Sequence, residues 1–155
     1  MQPSSTVFSV LAQPQWSIPL FIALWLVAVA VMARVAGWPS LSQQFAASEI
    51  PAGQSLRFVS GALGSIHWPI RYRNCLRVVV GDTGLYVSLM FPFKFMSPAL
   101  LLPWHSIESI QEKQSFSTRT VTFRIRGQWA VLSLPGPAGQ LAKAAFESAS
   151  GQNAL

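Results

Sequence analysis

Charge is the scarcest property of this chain, since only 10% of its 155 residues are charged, against roughly 25% in an ordinary soluble domain. A hydrophobic content of 51% and a mean hydropathy of +0.39 accompany this deficit. Such a composition excludes an intrinsically disordered chain, which combines low hydrophobicity with high net charge. It also indicates that part of the apolar sequence lies outside a water-soluble core.

Reactive side chains are equally scarce. A single cysteine, Cys75, excludes an internal disulfide framework and a multi-thiolate zinc site. Cys75 lies beside Leu76, a position typical of packing, and the two histidines, His67 and His105, each adjoin a tryptophan at the edge of a predicted strand or loop. Neither a Gly-x-Ser-x-Gly motif nor a P-loop is present. The sequence therefore predicts a protein without catalytic residues, cofactor or metal.

Lysine and arginine are missing before Arg34, and this stretch includes a long apolar run. From Trp16 to Trp38 there are 23 residues, which form about 34 Å of helix and match a hydrocarbon core of about 30 Å. We expect a transmembrane helix over residues 16–38, with Trp16 and Trp38 at the two interfaces and Arg34 extended towards the headgroups. The alternatives are a buried core helix, which is rarely so long, and a signal peptide, which needs a basic start.

The charge balance predicts an orientation. The chain has 11 Lys and Arg against 5 Asp and Glu, a formal net charge of +6, and every basic residue lies at or after Arg34. The positive-inside rule then predicts an N-terminus outside the cell and a C-terminal part in the cytoplasm. Nucleic acid is not an expected partner, since the sequence has neither an RNP motif nor a helix-turn-helix pattern.

After the apolar run, the pattern changes at Gln54 from helical to alternating. We divide the chain into a tail over 1–15, the transmembrane helix over 16–38, a linker over 39–53, a β domain over 54–149 and a tail over 150–155. About seven short antiparallel strands are predicted in a barrel or sandwich, within segments 56–60, 76–80, 85–91, 99–102, 107–114, 120–126 and 129–134. An amphipathic helix over 138–149 closes the chain, with Leu141, Ala145, Phe146 and Ala149 on one face.

Two motifs in this domain suggest a family. Gly84-Leu-Tyr86 begins the second strand of a hairpin, and Leu101-Leu-Pro-Trp-His-Ser-Ile107 follows it. Together they resemble bacterial pleckstrin-homology-like (PH-like) domains, beside which a membrane helix often lies. The resemblance covers residues 54–149 and implies a mainly β fold with a C-terminal helix, in a single-pass protein of the bacterial inner membrane. PH-like domains bind different ligands, so the fold does not choose one.

Two groups of residues are candidates for binding. Arg71, Arg73 and Arg77 follow the first predicted strand, where they either meet anionic lipid headgroups or only keep the sheet soluble. Phe93, Lys94 and Phe95 crowd around a proline between two strands. They predict either a loop that contacts the bilayer or a partner, or a strand that continues into the core with Lys94 outward.

These features predict a non-enzymatic, membrane-anchored interaction module. We expect it to bind a membrane-protein partner as an accessory or assembly factor. The alternative is a module that binds anionic lipid headgroups at the inner face of the membrane.

Overall fold

The structure is a computed structural model that describes residues 14–94 and 96–153. Within these residues it has three α-helices, seven β-strands and one short 3-10 helix. The helices are α1 (Pro14–Val35), α2 (Trp38–Phe45) and α3 (Gly136–Asn153), and the 3-10 helix is Trp104–Ser106. The strands are β1 (Gln54–Gly64), β2 (Pro69–Val80), β3 (Gly84–Leu89), β4 (Leu100–Pro103), β5 (Ile107–Ser115), β6 (Thr118–Ile125) and β7 (Val131–Pro135).

The strands form one antiparallel sheet in the order β4-β3-β2-β1-β7-β6-β5, curled into a half-barrel. Strand β1 joins the two halves, since it pairs with β2 along its length and with β7 near its end. Its pairing with β2 is irregular between Leu56 and Gly61, where Phe58 has a φ of 56°. Such a bulge bends a strand and lets it serve both halves. The predicted fold class is confirmed: an apolar N-terminal helix, an antiparallel β domain and a C-terminal helix.

Helix α1 is the apolar helix that the sequence predicts. The segment Gln15–Val35 has 21 residues with a hydropathy of 2.3, so it is long and apolar enough to cross a membrane. The helix ends three residues before the predicted boundary at Trp38. Its C-terminal half contacts the β domain, because Val29 and Ala33 are buried while most of its other apolar side chains are exposed.

Helix α2 changes the interpretation of the predicted linker. Its residues Trp38, Leu41 and Phe45 lie on one face and are buried in the hydrophobic core. The Trp38 side chain is 0% exposed, and its Nε1 donates a hydrogen bond to the Tyr72 hydroxyl at 3.1 Å. The prediction of Trp38 as a membrane-interface anchor is therefore wrong, because the indole fills the half-barrel instead.

The junction of α1 and α2 is a single tight turn at Gly37. This residue has a φ of 83°, and the Leu41 amide donates to its carbonyl at 3.0 Å. A Cβ on Gly37 would lie 3.0 Å from both the Ala130 Cβ and the Trp129 Cζ2. Glycine is thus required at position 37 for two reasons: the backbone is left-handed, and the β6–β7 turn approaches it closely.

Helix α3 covers the opposite side of the core, against β6 and β7. Ala138 and Ala142 are buried on the sheet, and the predicted face with Leu141 and Phe146 packs beside them. On the outer side, the Lys143 Nζ donates to a Glu112 oxygen. This hydrogen bond holds the pKa of Glu112 below its ordinary value, and a second hydrogen bond, from Gln140, lowers the pKa further.

The tight turn predicts a difference between two glycine variants. Gly37→Ala and Gly127→Ala both place an alanine at a positive φ, which costs about 1–2 kcal/mol. Only Gly37→Ala meets neighbouring atoms, since nothing lies within 4 Å of a Cβ at Gly127. Overpacking then lowers the free energy of unfolding by about 1–3 kcal/mol more for Gly37→Ala. Urea unfolding of the detergent-solubilised protein measures both, and equal losses would contradict close packing at the junction.

The Glu112 carboxylate predicts a pH dependence. Because its folded-state pKa is lowered from 4.5, its contribution to stability is present above that ordinary value and is lost as pH falls through the lower folded-state pKa. Wild type is therefore more stable than Glu112→Gln at neutral pH, and the difference disappears as pH falls through the lowered pKa of Glu112. Unfolding midpoints across a pH series measure this. As a control, Glu108→Gln removes a charge from the same strand, at a residue outside the described ion pairs. If Glu108→Gln shows the same pH dependence, the assignment of the effect to the Glu112 carboxylate is wrong.

Candidate functional site

A polar concavity lies on the solvent face of β1, β2, β6 and β7, and we call it the arginine groove. It has a volume of about 530 Å³ and is lined by Ser60, Arg71, Arg73, Asn74, Thr120 and Ser133, among others. Arg71 and Arg73 reach this face because side chains alternate along a strand. Tyr72, between them, points into the core instead.

The floor of the groove is formed by small residues that meet across the sheet. Ala62 on β1 lies opposite Arg71 on one side and Ser133 on the other, and Ser133 lies opposite Thr122 on β6. These short side chains leave a depression beside the long arginines. At the rim, the Ser60 Oγ accepts the Asn74 amide at 3.1 Å and donates to the Asn74 Oδ1 at 3.0 Å. Asn74 is thereby held at a φ of 52°.

The groove is electropositive. Among the described residues every ion pair includes either Glu112 or Lys143, so neither Arg71 nor Arg73 belongs to one. Both side chains are exposed. Guanidinium groups beside serine and threonine hydroxyls are well suited to carboxylate or phosphate oxygens, which accept several hydrogen bonds at once.

Arg77, the third predicted arginine, is not part of this groove. It lies four residues beyond Arg73, roughly 13 Å along the strand. Its Nε donates to the Ser55 Oγ at 3.4 Å. The structure thus brings two of the three candidate arginines together and separates the third.

Residues 91–94 and 96 lie in turns after β3, which ends at Leu89. The alternative of a continuing strand is therefore wrong, although Phe93 packs against the core and Lys94 is exposed, as that alternative also predicts. Phe93 is partly buried, with its ring centroid 6.5 Å from that of Trp25 in α1. Lys94 is exposed, while Phe95, also a predicted contact residue, lies outside the described residues. Phe91 and Met96 are 79% and 65% exposed.

The two ends of α1 differ in their aromatic residues. Trp16 is exposed near the first end, and Arg34 is exposed in the last turn, and their role as interface anchors stays a prediction. At the second end the aromatic residue is Trp129, which is half exposed and contacts the position of Gly37. Sequence reasoning missed Trp129, because only the tertiary fold brings the β6–β7 turn to this helix end.

The reactive residues are dispersed. Cys75 is partly buried, and burial raises the pKa of its thiol, which disfavours the nucleophilic thiolate. His67 and His105 are exposed. Within residues 14–94 and 96–153, no three His, Cys, Asp or Glu side chains are grouped so that they could hold a metal ion.

In comparisons with known proteins, no family model, no curated protein and no solved structure matches this chain.

Proposed function

We propose that this protein is a non-enzymatic interaction module of the bacterial inner membrane. Helix α1 anchors it, and the β domain lies on the cytoplasmic side and presents the arginine groove to an acidic segment of a membrane-protein partner. In this role the protein is an accessory or assembly factor. The observation that carries the proposal is the continuity of an apolar helix, α1, with a helix that fills the core of the β domain, α2.

This continuity determines how the domain is held. A domain on a flexible linker samples many orientations. Binding of a partner then costs entropy, because it restricts the domain to one orientation. Here the two residues between α1 and α2 include the closely packed Gly37, and Ser40 donates a hydrogen bond to Gln128 of the β6–β7 turn at 2.6 Å. The groove therefore has a defined orientation relative to the anchor. Such preorganisation favours recognition of a partner in the same membrane.

The assignment to PH-like domains is part of the proposal, and the motif residues support it by their positions. A Cβ on Gly84 would lie 2.4 Å from the Leu102 carbonyl oxygen, so the Gly84-Leu-Tyr86 motif and the Leu101–Ile107 motif are in direct contact. Trp104 is buried, and its Nε1 donates to the Gly81 carbonyl at 3.1 Å. Its ring meets Phe146 of α3 edge-on. The motif thus connects the β2–β3 hairpin to the C-terminal helix.

Site-specific photo-crosslinking in native membranes tests the partner. With a photoreactive residue at Thr120 in the groove, we expect one discrete protein adduct. Arg71→Gln with Arg73→Gln abolishes it, whereas Arg57→Gln with Arg124→Gln, an equal loss of charge outside the groove, preserves it. An adduct that survives the groove variant, or that is lost equally with both pairs, would exclude the groove as the partner site.

Anionic lipid is the second candidate ligand, and the two unpaired arginines favour it. Each basic residue near an anionic surface contributes about 1 kcal/mol, so removal of two weakens binding by about thirtyfold. Native mass spectrometry of the full chain with phosphatidylglycerol measures this for the same two double variants. The lipid alternative predicts a loss for the groove variant only, which diminishes as salt rises. Equal binding of phosphatidylcholine would exclude it.

A further inference from the structure

Three turns leave the β-sheet at the end where α1 joins the domain. Neighbouring strands of the sheet point in opposite directions, so β1, β3 and β6 all point the same way. The turns that follow these three strands therefore lie at the same end of the sheet. Each turn exposes a large aromatic side chain: Trp68 after β1, Phe91 after β3 and Trp129 after β6 are 78%, 79% and 54% exposed. Exposed aromatic residues on every turn of one end mark an apolar contact surface.

Two of these turns meet α1, and they do so at different heights. Trp129 lies at the end of the helix, against Gly37. Phe93 lies against Trp25, which precedes Val35 by ten residues. Ten residues of α-helix rise about 15 Å. The β3–β4 turn therefore extends along α1 to roughly the middle of the helix.

The outer face of α1 shows how far the hydrocarbon reaches. Val27, Val31 and Val35 are spaced four residues apart on one face, and all three are exposed. Arg34, in the last turn, is the first charged residue of the chain. An apolar face that continues to the last turn places the hydrocarbon boundary there. With that boundary, the ring of Phe93 lies about 15 Å deep, near the middle of a core of about 30 Å.

We propose that turn residues 91–94 and 96 are embedded in the hydrocarbon of the membrane, beside α1, so that lipid acyl chains contact Phe91 and Met96. The inference rests on the proposed function, since it requires α1 to span the bilayer. Trp129, at the level of the helix end, then lies at the headgroup interface, where an indole is stable. The β domain is thus seated partly within the membrane rather than above it.

The backbone of the turn is compatible with this position. In hydrocarbon a backbone N–H must find its partner within the protein. The Phe93 amide donates to the Met90 carbonyl at 3.0 Å, and the Ser97 amide donates to the Lys94 carbonyl at 3.3 Å. Lys94 is the sole charged residue between Asp82 and Glu108. A lysine stem is shorter than this depth of about 15 Å, so the one charge costs the embedded turn about 2.5–3.5 kcal/mol.

Depth-resolved fluorescence quenching of the full chain in phosphatidylcholine vesicles tests the inference. In a Cys75→Ser background, single cysteines replace Phe91, Met96, Ile22 or Phe116, and each carries an environment-sensitive fluorophore. Ile22 lies in the exposed half of α1, and Phe116 lies in the β5–β6 turn at the other end of the sheet. Cys75→Ala serves as a second background if Cys75→Ser unfolds.

We expect the probes at 91, 96 and 22 to be quenched by spin-labelled acyl chains and protected from iodide, with blue-shifted emission. The probe at 116 shows the reverse. If acyl-chain labels quench the probe at position 22 while iodide quenches the probes at positions 91 and 96, the proposal of an embedded turn is wrong, and the proposal that α1 spans the membrane is retained. If iodide also quenches 22, the proposed anchorage fails, and the inference fails with it.

Discussion

Burial of the Trp38 indole is the constraint on which the rest of the structure depends. An N–H group buried without an acceptor costs about 1–3 kcal/mol, and here the Tyr72 hydroxyl accepts it. Burial of Tyr72 raises the pKa of its own hydroxyl, which therefore remains neutral. With Tyr72 held inward, the alternation of β2 directs Arg71 and Arg73 outward. One hydrogen bond in the core thus links the membrane helix, through α2, to the arginine groove.

Much of the fold was predictable because it is determined locally. The segment 120–126 alternates Val121, Phe123 and Ile125 with polar residues, and it forms β6 with those three side chains buried. Helix α3 follows from a 3.6-residue period in the same way. The role of α2 was missed, although Trp38, Leu41 and Phe45 have helical spacing. A tryptophan after a long apolar helix is also typical of an interface anchor, and only tertiary contacts distinguish the two.

The candidate site was predictable only in part. Alternation identified Arg71 and Arg73 as outward-facing, and it gave the same result for Arg77, which lies elsewhere on the strand. The floor of the groove depends on Ser133, which β7 brings next to Ala62 from about seventy positions away. No local pattern contains that pairing, because cross-strand register over such a separation arises from the whole sheet. The contact of Phe93 with Trp25 has the same origin.

The segment after α2 has a further role at the edge of the sheet. The Ala47 amide donates to the Ala99 carbonyl at 2.8 Å, and Ala46 bridges to Leu100, so this segment covers part of edge strand β4. An uncovered edge is a template for aggregation. A domain can be exchanged between proteins only where its hydrophobic core and its sheet edges are complete within its own boundaries. Here residues 38–47 complete both, so the β domain cannot be separated from the segment that joins it to the anchor without opening its core and its edge.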